Sequence, residues 1–433
     1  MSDPYVIVGV ARTRQGWFSE VARWSTSGAA PVEFLKCLTT DEARALLGSG
    51  RRASALLVDA ATPGLDRELT ADAAAFGVPT VVVSDGRVHR DWESLGCAAV
   101  LPAGFERAEL LTVLERHTRP VARASRQAAR IRLDDEPAPR SRLVGVTGGG
   151  GTGSSTVAMC LAQAFGAVQS GHAALIDGCR HADLAMYHDV GDVIPGLPEL
   201  VEAHRLDHPD PDLIRPLLHG IGHRGYDLLL GMRTPRDWVA MRRHSLAAAL
   251  EGLARSYDLV VVDHDPDLEG EELTGSAGVE DRHAITRTLA RRADLLLVVG
   301  WPGLKGTSDL ARLLRDLLDE GVPPERLLPV VNGARRDPAS RAATTRAIAE
   351  LVGAELPGAL HLPRVRALES AHRSATRLPD AMCRPLGRAV RRLLLELPAR
   401  PGDAEAPVRV RPGDLHLHDT PPSAWPVDRS DVA

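Results

Sequence analysis

Apolar residues in the first part of the chain fall into short runs separated by segments of helical spacing. The runs are Val6–Val10, Phe34–Leu38, Ala55–Val58, Thr80–Val83 and Ala98–Leu101. Helical patterns occupy Thr40–Leu47 and Leu69–Phe76, and Glu106–His117 closes the series. Short strands alternating with helices predict a parallel sheet covered on both faces. The pattern then lapses. Residues 119–142 carry many arginines, the cluster Asp134-Asp135-Glu136, Pro137 and Pro139, and read as a linker. From Leu143 to about Leu397 the alternation resumes, with strands expected at Leu143–Val146, Ala173–Ile176, Leu228–Leu230, Leu259–Val262, Leu295–Val299 and Leu328–Val331. Its clearest helices are Leu310–Leu318 and Thr345–Leu351. Residues 399–433, rich in Pro, Asp and Arg, read as a tail without fixed structure. The expected organisation is therefore a first α/β domain over 1–118, the linker 119–142, a second α/β domain over 143–398, and the tail.

Composition narrows the function classes. At 433 residues, 44% hydrophobic and 25% charged, the chain has the make-up of an ordinary globular protein of two or three domains. No segment approaches the roughly 18 apolar residues of a membrane-spanning helix. The start, Met1-Ser2-Asp3-Pro4, runs into a strand pattern without the basic and apolar regions of a signal peptide. The five cysteines are scattered and form no CxxC pair, which argues against disulfide scaffolds and zinc ribbons and for a reducing cytoplasm. A net charge of −5 and only 3% aromatics leave neither a polycation nor a base-stacking platform, so no sequence-specific nucleic-acid partner is expected. Of 52 basic residues only Lys36 and Lys305 are lysine, so chemistry that needs a lysine has two places to find one.

The most informative stretch is Leu143-Val144-Gly145-Val146-Thr147-Gly148-Gly149-Gly150-Gly151-Thr152-Gly153-Ser154-Ser155-Thr156, followed by the helical Val157–Phe165. Strand, glycine loop and helix in that order gather backbone N–H groups and a helix N-terminus around one point, which favours phosphate. Two motifs compete for these residues. Gly148, Gly150 and Gly153 satisfy the dinucleotide pattern GxGxxG, with Asp177 ending the next strand where a ribose-binding acid would sit. Gly148, Gly153 and Ser155 satisfy the P-loop pattern GxxxxGK[ST], except that Ser154 replaces its lysine. A glycine-rich turn that binds nothing is the third reading. Downstream, Tyr257-Asp258-Leu259-Val260-Val261-Val262-Asp263 is an apolar strand ending in an acid, the Walker B form in which Asp263 holds Mg²⁺, and NAD binding needs no such acid.

On these residues the chain resembles the MinD/ParA family of P-loop ATPases, in particular the CpaE-like branch with a receiver-like N-terminal domain, and within it the actinobacterial septum site-determining proteins. The resemblance spans roughly residues 1–398. It rests on the loop at Thr147–Thr156, the strand Ala173–Asp177, the Walker B strand, the strand end Val330-Val331-Asn332 and, loosely, Leu360-His361-Leu362-Pro363. It implies an α/β fold: a receiver-like (flavodoxin-like) parallel sheet followed by a MinD/ParA-like P-loop domain. It further implies ATP with Mg²⁺ as cofactor. Gly150, Gly151, Thr152, Gly153 and Ser154 would cradle phosphates through the backbone, with Gly148 and Thr156 at the ends of the loop. Ser155 would bind Mg²⁺, Asp263 would hold it through water, and Asn332 would read the adenine edge. Bland readings stand beside these: Ser155 as a helix-start hydroxyl, Asp263 as a turn acid, Asn332 as half of an Asn-Gly turn.

The departures from the family are equally specific. Gly149 stands where the signature lysine is expected, Ser154 replaces the P-loop lysine, and Cys179 stands where a water-positioning acid belongs. Phosphoryl transfer depends on positioning and charge stabilisation, so weak or absent hydrolysis is expected while binding suffers less. Lys305 is no obvious substitute, and Arg180 is one candidate. The first domain resembles a receiver with Asp59 at the acceptor position and Ser84 ending the fourth strand. Leu101-Pro102 stands where receivers carry Lys-Pro, and Ala11-Arg12-Thr13-Arg14 supplies no acids for Mg²⁺. It therefore reads as a pseudo-receiver for docking or dimerisation. The basic, apolar stretch Arg384–Leu395 reads as a final helix packed on the core, the alternative being the membrane-binding helix of MinD-type proteins. The acidic segment Asp265–Asp281 reads as a mobile loop and a partner site. The functional expectation is a spatial regulator, cytoplasmic and recruited to the septum or inner membrane face, acting through protein partners and as a homodimer. The rivals are an ATP-switched ATPase placing a pilus or secretion machine, and a dinucleotide-dependent enzyme with His264, read as a surface histidine, as its nearest candidate base.

Overall fold

The computed structural model describes residues 4–11, 15–48, 51–118, 141–167, 172–191 and 194–397. The tail, all but the last two linker residues, and Arg12-Thr13-Arg14 lie outside the described residues. Strands β1 (Tyr5–Val10), β2 (Val32–Cys37), β3 (Ala55–Asp59), β4 (Thr80–Ser84) and β5 (Cys97–Pro102) form one sheet in the order β2-β1-β3-β4-β5. All four pairings are parallel. That order is the flavodoxin-like arrangement. Apolar residues of β1 and β3 alternate between two cores: Val8, Val10, Leu56 and Val58 face one, and Ile7, Ala55 and Leu57 the other. Burial on both faces is why these strands read as unbroken apolar runs. No helix joins β4 to β5; turns with Trp92 and Leu95 buried in the core take its place.

The second sheet has eight strands: β6 (Arg142–Gly148), β7 (Ala173–Gly178), β8 (His219–Ile221), β9 (Tyr226–Leu229), β10 (Leu259–His264), β11 (Leu295–Gly300), β12 (Leu327–Ala334) and β13 (Leu360–Pro363). Their order is β13-β12-β11-β6-β10-β7-β9-β8, parallel except for the β8–β9 hairpin at one edge. The strands β7, β9 and β10 lie to one side of β6 and β11 to β13 to the other, so the order reverses at β6. Open α/β sheets bind ligands beyond the strand carboxyl ends at such a point.

Two expectations about the helices need correcting. The helices Leu304–Asp319 and Pro338–Val352 begin well before the apolar periodicity that predicted them. The second starts at a cap, Asp337 accepting from the amides of Ala339 and Ser340, with Pro338 as its first residue. The acidic segment Asp265–Asp281 is not a free loop. It contains the helices Glu271–Thr274 and Ala277–Arg282, and arginines from elsewhere tie it down. Arg180 pairs with Asp265 and Asp267, Arg243 with Glu280, and the buried Arg287 donates to the carbonyl of Leu268 and to Glu320.

The final helix, Asp380–Glu396, packs its apolar stripe of Met382, Leu386, Val390, Leu393 and Leu394 into the core beside the helix Ser154–Gly166. Arg391 lies over the Phe165 ring, 4.5 Å from its centroid, and donates to the carbonyl of Ala164. The apolar face is thus used in packing, as the core reading requires. Among the described residues no helix is long and apolar enough to cross a membrane.

The two sheets belong to one compact unit. The first turn of helix Arg67–Ala75 joins them. Arg67 donates to the carbonyl of His204 (2.9 Å), near the end of helix Leu197–Leu206. Glu68 accepts from the amide and hydroxyl of Ser245 (2.9 and 2.8 Å) in the first turn of helix Arg243–Ser256, whose own N-cap residue supplies no side-chain bond. Adjacent residues of opposite charge therefore satisfy opposite helix ends, each matching the local dipole.

Candidate functional site

β6 delivers the chain into the glycine loop at the centre of the second sheet. Gly153 has φ +83°, a left-handed conformation, and a Cβ there would lie 2.5 Å from Nδ2 of Asn332; glycine alone fits on both counts. The helix Ser154–Gly166 starts directly after it, with Val157 donating to the carbonyl of Gly153. Its first amides therefore lack intrahelical partners, as the phosphate-binding reading needs. The loop is held from within by Thr152, whose amide and hydroxyl both donate to the carbonyl of Gly149 (3.1 and 2.7 Å). It is held from outside by Asn332, whose amide donates to the carbonyl of Thr152 (2.9 Å), and by Trp301, whose indole N–H donates to the carbonyl of Gly151 (2.7 Å). Sequence reasoning missed Trp301; the signal was a tryptophan between Gly300 and Pro302 at the end of a buried strand.

The structure brings Asp263 and Ser155 together and leaves Asn332 and Thr156 engaged. Asp263 is the penultimate residue of β10, opposite Val146 of β6 and Asp177 of β7. It is 1% exposed, and its Oδ1 has no hydrogen-bond partner. Burial pushes its pKa up to about 7, and the charges of Asp265 and Asp183 push the same way, against the Ser155 hydroxyl and the Cys179 thiol. Asp177 is also buried and is held well above the ordinary carboxylate range, first by burial and then by Asp263. Both of its oxygens accept backbone amides, from Cys179 (3.3 Å) and Leu184 (2.8 Å). The Thr156 hydroxyl bonds with Nε2 of His372 (3.1 Å), and the nitrogen of the Asn332 amide is committed to the loop.

Neither candidate replacement for the lysine is free. The Arg180 guanidinium is bound by Asp265 and Asp267. Lys305 pairs with Asp309 at 2.9 Å with its side chain 88% exposed. It does line a cavity of about 1070 Å³ that also takes in Gly149, Gly150, Thr152 and Trp301. His264 is buried, not a surface residue. Burial lowers its pKa to about 4, and its Nδ1 bonds with the carbonyl of Asp265. It is a neutral core imidazole packed against Gly145.

In the first domain Asp59 ends β3 as expected and is buried. Its Oδ2 accepts from the indole N–H of Trp17 (3.2 Å) and its Oδ1 from the amide of Ala61 (3.0 Å). Ser84 accepts from the amide of Gly86.

Neither a protein-family model nor a curated protein matches the chain. Solved structures to which it is similar include a ParA family ATPase from Chlorobium tepidum TLS, at 19% identity over 59% of this chain and 100% of that one, with a TM-score of 0.45. The cell division ATPase MinD of Pyrococcus furiosus is similar at 16% identity over 58% and 99%, with a TM-score of 0.44. The septum site-determining protein MinD of Pyrococcus horikoshii OT3, complexed with Mg-ADP, is similar at 16% identity over 59% and 95%, with a TM-score of 0.43.

Strand order separates the two competing motifs. In the dinucleotide-binding order 3-2-1-4-5-6 the glycine-loop strand pairs directly with the strand that follows it and carries the ribose acid. Here β10 lies between β6 and β7, which places an acid-ended strand beside the loop and removes Asp177 from the neighbouring position. The chain is an α/β protein in which a five-stranded parallel sheet of flavodoxin-like order precedes an eight-stranded, mostly parallel sheet with a glycine loop at the end of its central strand β6.

Proposed function

We propose that this protein is a spatial regulator of the MinD/ParA type whose second domain binds Mg-nucleotide weakly and hydrolyses it slowly or not at all. The observation that carries the reading is Asp263. A buried carboxylate with a partnerless oxygen is costly, and a cation ligand accounts for its retention beside Ser155. The donor set fits Mg²⁺, which takes one or two carboxylates and a hydroxyl and fills its remaining positions with water and phosphate oxygens. Bound there, the ion would neutralise phosphate charge and bridge the nucleotide to the protein. Ser155 would hold it directly and Asp263 through water. The backbone amides from Gly150 to Ser154 would receive phosphate oxygens, and Asp177 would hold the turn from Cys179 to Leu184 in place. Among the described residues the two candidate cations, Arg180 and Lys305, are both paired with acids, so little is left to stabilise a transferring phosphoryl group.

The first domain serves as a docking module, since Trp17 and Ala61 already engage Asp59. The role in septum placement, the cytoplasmic location with recruitment to the septum or inner membrane face, the homodimer and the partners in the division machinery follow from the sequence resemblance. A fluorescent fusion that gathers at the division site supports them; one that gathers at a pole moves the assignment to a pilus or secretion machine. The retained Ser155 and Asp263 favour one second reading, an ATPase whose assembly is switched by ATP.

Calorimetric titration of the full chain with MgATP, MgADP and NAD, with Asp263→Ala alongside, tests the nucleotide reading. Binding of MgATP that weakens in the variant supports it. Binding of NAD instead, or no heat at millimolar ligand, overturns it.

A further inference from the structure

We propose that Trp301 is a positioning residue of the glycine loop, clamping it from the end of β11 in the shape that receives phosphate. The proposal rests on the reading of that loop as a nucleotide site. With no lysine in the loop, affinity for an anion falls to the backbone amides, and amides bind well only if the loop is already in the right shape. Two neighbouring peptide units are fixed by side chains from two different strand ends. Trp301 holds the carbonyl of Gly151 and Asn332 holds the carbonyl of Thr152. In a trans peptide unit the N–H points opposite to the C=O, so holding the Thr152 carbonyl turns the Gly153 amide away from Asn332. Holding the Gly151 carbonyl fixes the partner unit, whose Thr152 amide closes the turn onto Gly149.

The indole sits in a slot made for it. Gly333 has φ +72°, and a Cβ at that position would run into Cζ3 of the Trp301 ring. The ring therefore packs on bare backbone beside the very residue that makes the second clamp. Trp301 is 41% exposed, and it lines the cavity that also contains Gly149, Gly150 and Thr152. A ligand on the loop would thus change the surroundings of the indole as well as load its hydrogen bond.

Trp301→Phe keeps a flat ring on Gly333 and removes the donor. Hydrogen exchange of the segment 147–156 in the ligand-free, full-length protein reads the clamp itself. MgATP titration reads its consequence, and tryptophan emission reports the ring, with Trp238→Phe as the control. The expected result is faster exchange of the loop amides in Trp301→Phe with an unchanged melting temperature. The dissociation constant for MgATP should rise roughly five- to tenfold, the range of one lost hydrogen bond. The nucleotide-induced emission change should disappear in Trp301→Phe and persist in Trp238→Phe. Unchanged loop exchange, or a wild-type dissociation constant in the variant, overturns the proposal. If exchange rises in the variant but the wild-type protein itself takes no MgATP, the clamp stands and the nucleotide reading beneath it falls.

Discussion

Asp59 closes β3 of the five-stranded sheet, and Asp263 is the penultimate residue of β10 in the eight-stranded sheet. Both sit at the carboxyl end of a strand buried on both faces, where such folds keep their chemistry. Their surroundings differ. Asp59 has a donor on each oxygen, the Trp17 indole and the Ala61 amide. Asp263 has an oxygen with no partner and a pKa pushed up to about 7 by burial and by further acids nearby. An acid at a strand end therefore says little by itself; the donors that the rest of the fold brings to it decide whether it is structural or available. In Asp59 the carboxylate ties the helix Gly16–Ser27, through Trp17, to the sheet. In Asp263 an unmet demand is left at the centre of the other sheet.

The largest expected effect comes from truncating each acid. Asp263→Ala should weaken MgATP binding by roughly 10–100-fold, the range seen when a group that orients a metal is lost. It should also raise the melting temperature of the ligand-free protein, because a buried carboxylate with one oxygen left unpartnered disappears. Asp59→Ala should do the reverse. Nucleotide affinity stays at the wild-type value, while stability falls by about 1–3 kcal/mol as the Trp17 N–H loses its acceptor. Calorimetry and thermal melts on the two variants check both halves. The contrast breaks if the two substitutions shift binding and stability in the same directions.

The next effect concerns protons where the two sheets join. His204 is fully buried, with Nδ1 bonded to the carbonyl of Leu200 and Nε2 unpartnered. Burial lowers its pKa to about 4, and the nearby Arg255, His208 and Arg67 push the same way. Against the ordinary value of about 6.5, the unfolded chain takes up this proton first as the pH falls. Stability is therefore lost from about pH 6.5 down to pH 4, by up to about 3 kcal/mol from this residue. His188, lowered to about 4 by burial, acts in the same direction. Urea melts at pH 7 and pH 4 should show a smaller loss for His204→Asn than for the wild-type protein, whatever the variant's baseline. An equal loss would mean that His204 does not titrate in this window.

A smaller effect is expected where the two sheets meet. Arg67→Ala frees the carbonyls of His204 and Ser94, and Glu68→Ala frees the first turn of helix Arg243–Ser256. Each should cost about 1–2 kcal/mol, the usual value of a lost helix cap or charged hydrogen bond. The thermal unfolding of the full chain should fall accordingly and, in the double variant, separate into two transitions. A single unshifted transition would mean that the junction contributes little to holding the two sheets together.

These contrasts explain which parts were legible in the sequence. The central strands were readable to within a residue or two because burial on both faces makes them unbroken apolar runs. β8 is a three-residue edge strand carrying His219 and Gly220, and β13 is a four-residue edge strand; neither has a run to see. The glycine loop and Asp263 were visible because each is a local pattern with a local reason. Asp177 as a ribose acid was a plausible reading from chain order, but β10 inserts between β6 and β7, and no local pattern reveals an insertion. The acidic segment read as a mobile loop because the arginines that tie it down lie outside it in sequence, at positions 180, 243 and 287. Trp301 was missed for the same reason: its partner, Gly151, is 150 residues away in sequence.

The smallest expected effect bears on the missing lysine. Lys305 lines the cavity beside the loop, which makes it the one lysine placed to approach a bound phosphate. In the protein it instead pairs with Asp309 one helical turn away, on a side chain that is 88% exposed. Exposed pairs of this spacing contribute about 0.3–0.5 kcal/mol, and the ammonium keeps most of its hydration there. Lys305→Ala should therefore leave the melting temperature unchanged and the dissociation constant for MgATP within about twofold of wild type. A tenfold or greater loss of affinity would instead make Lys305 the cation that the loop lacks, swung in from the next strand end. The absence of lysine at Gly149 and Ser154 would then no longer argue against turnover, and hydrolysis by this domain would have to be measured on that footing.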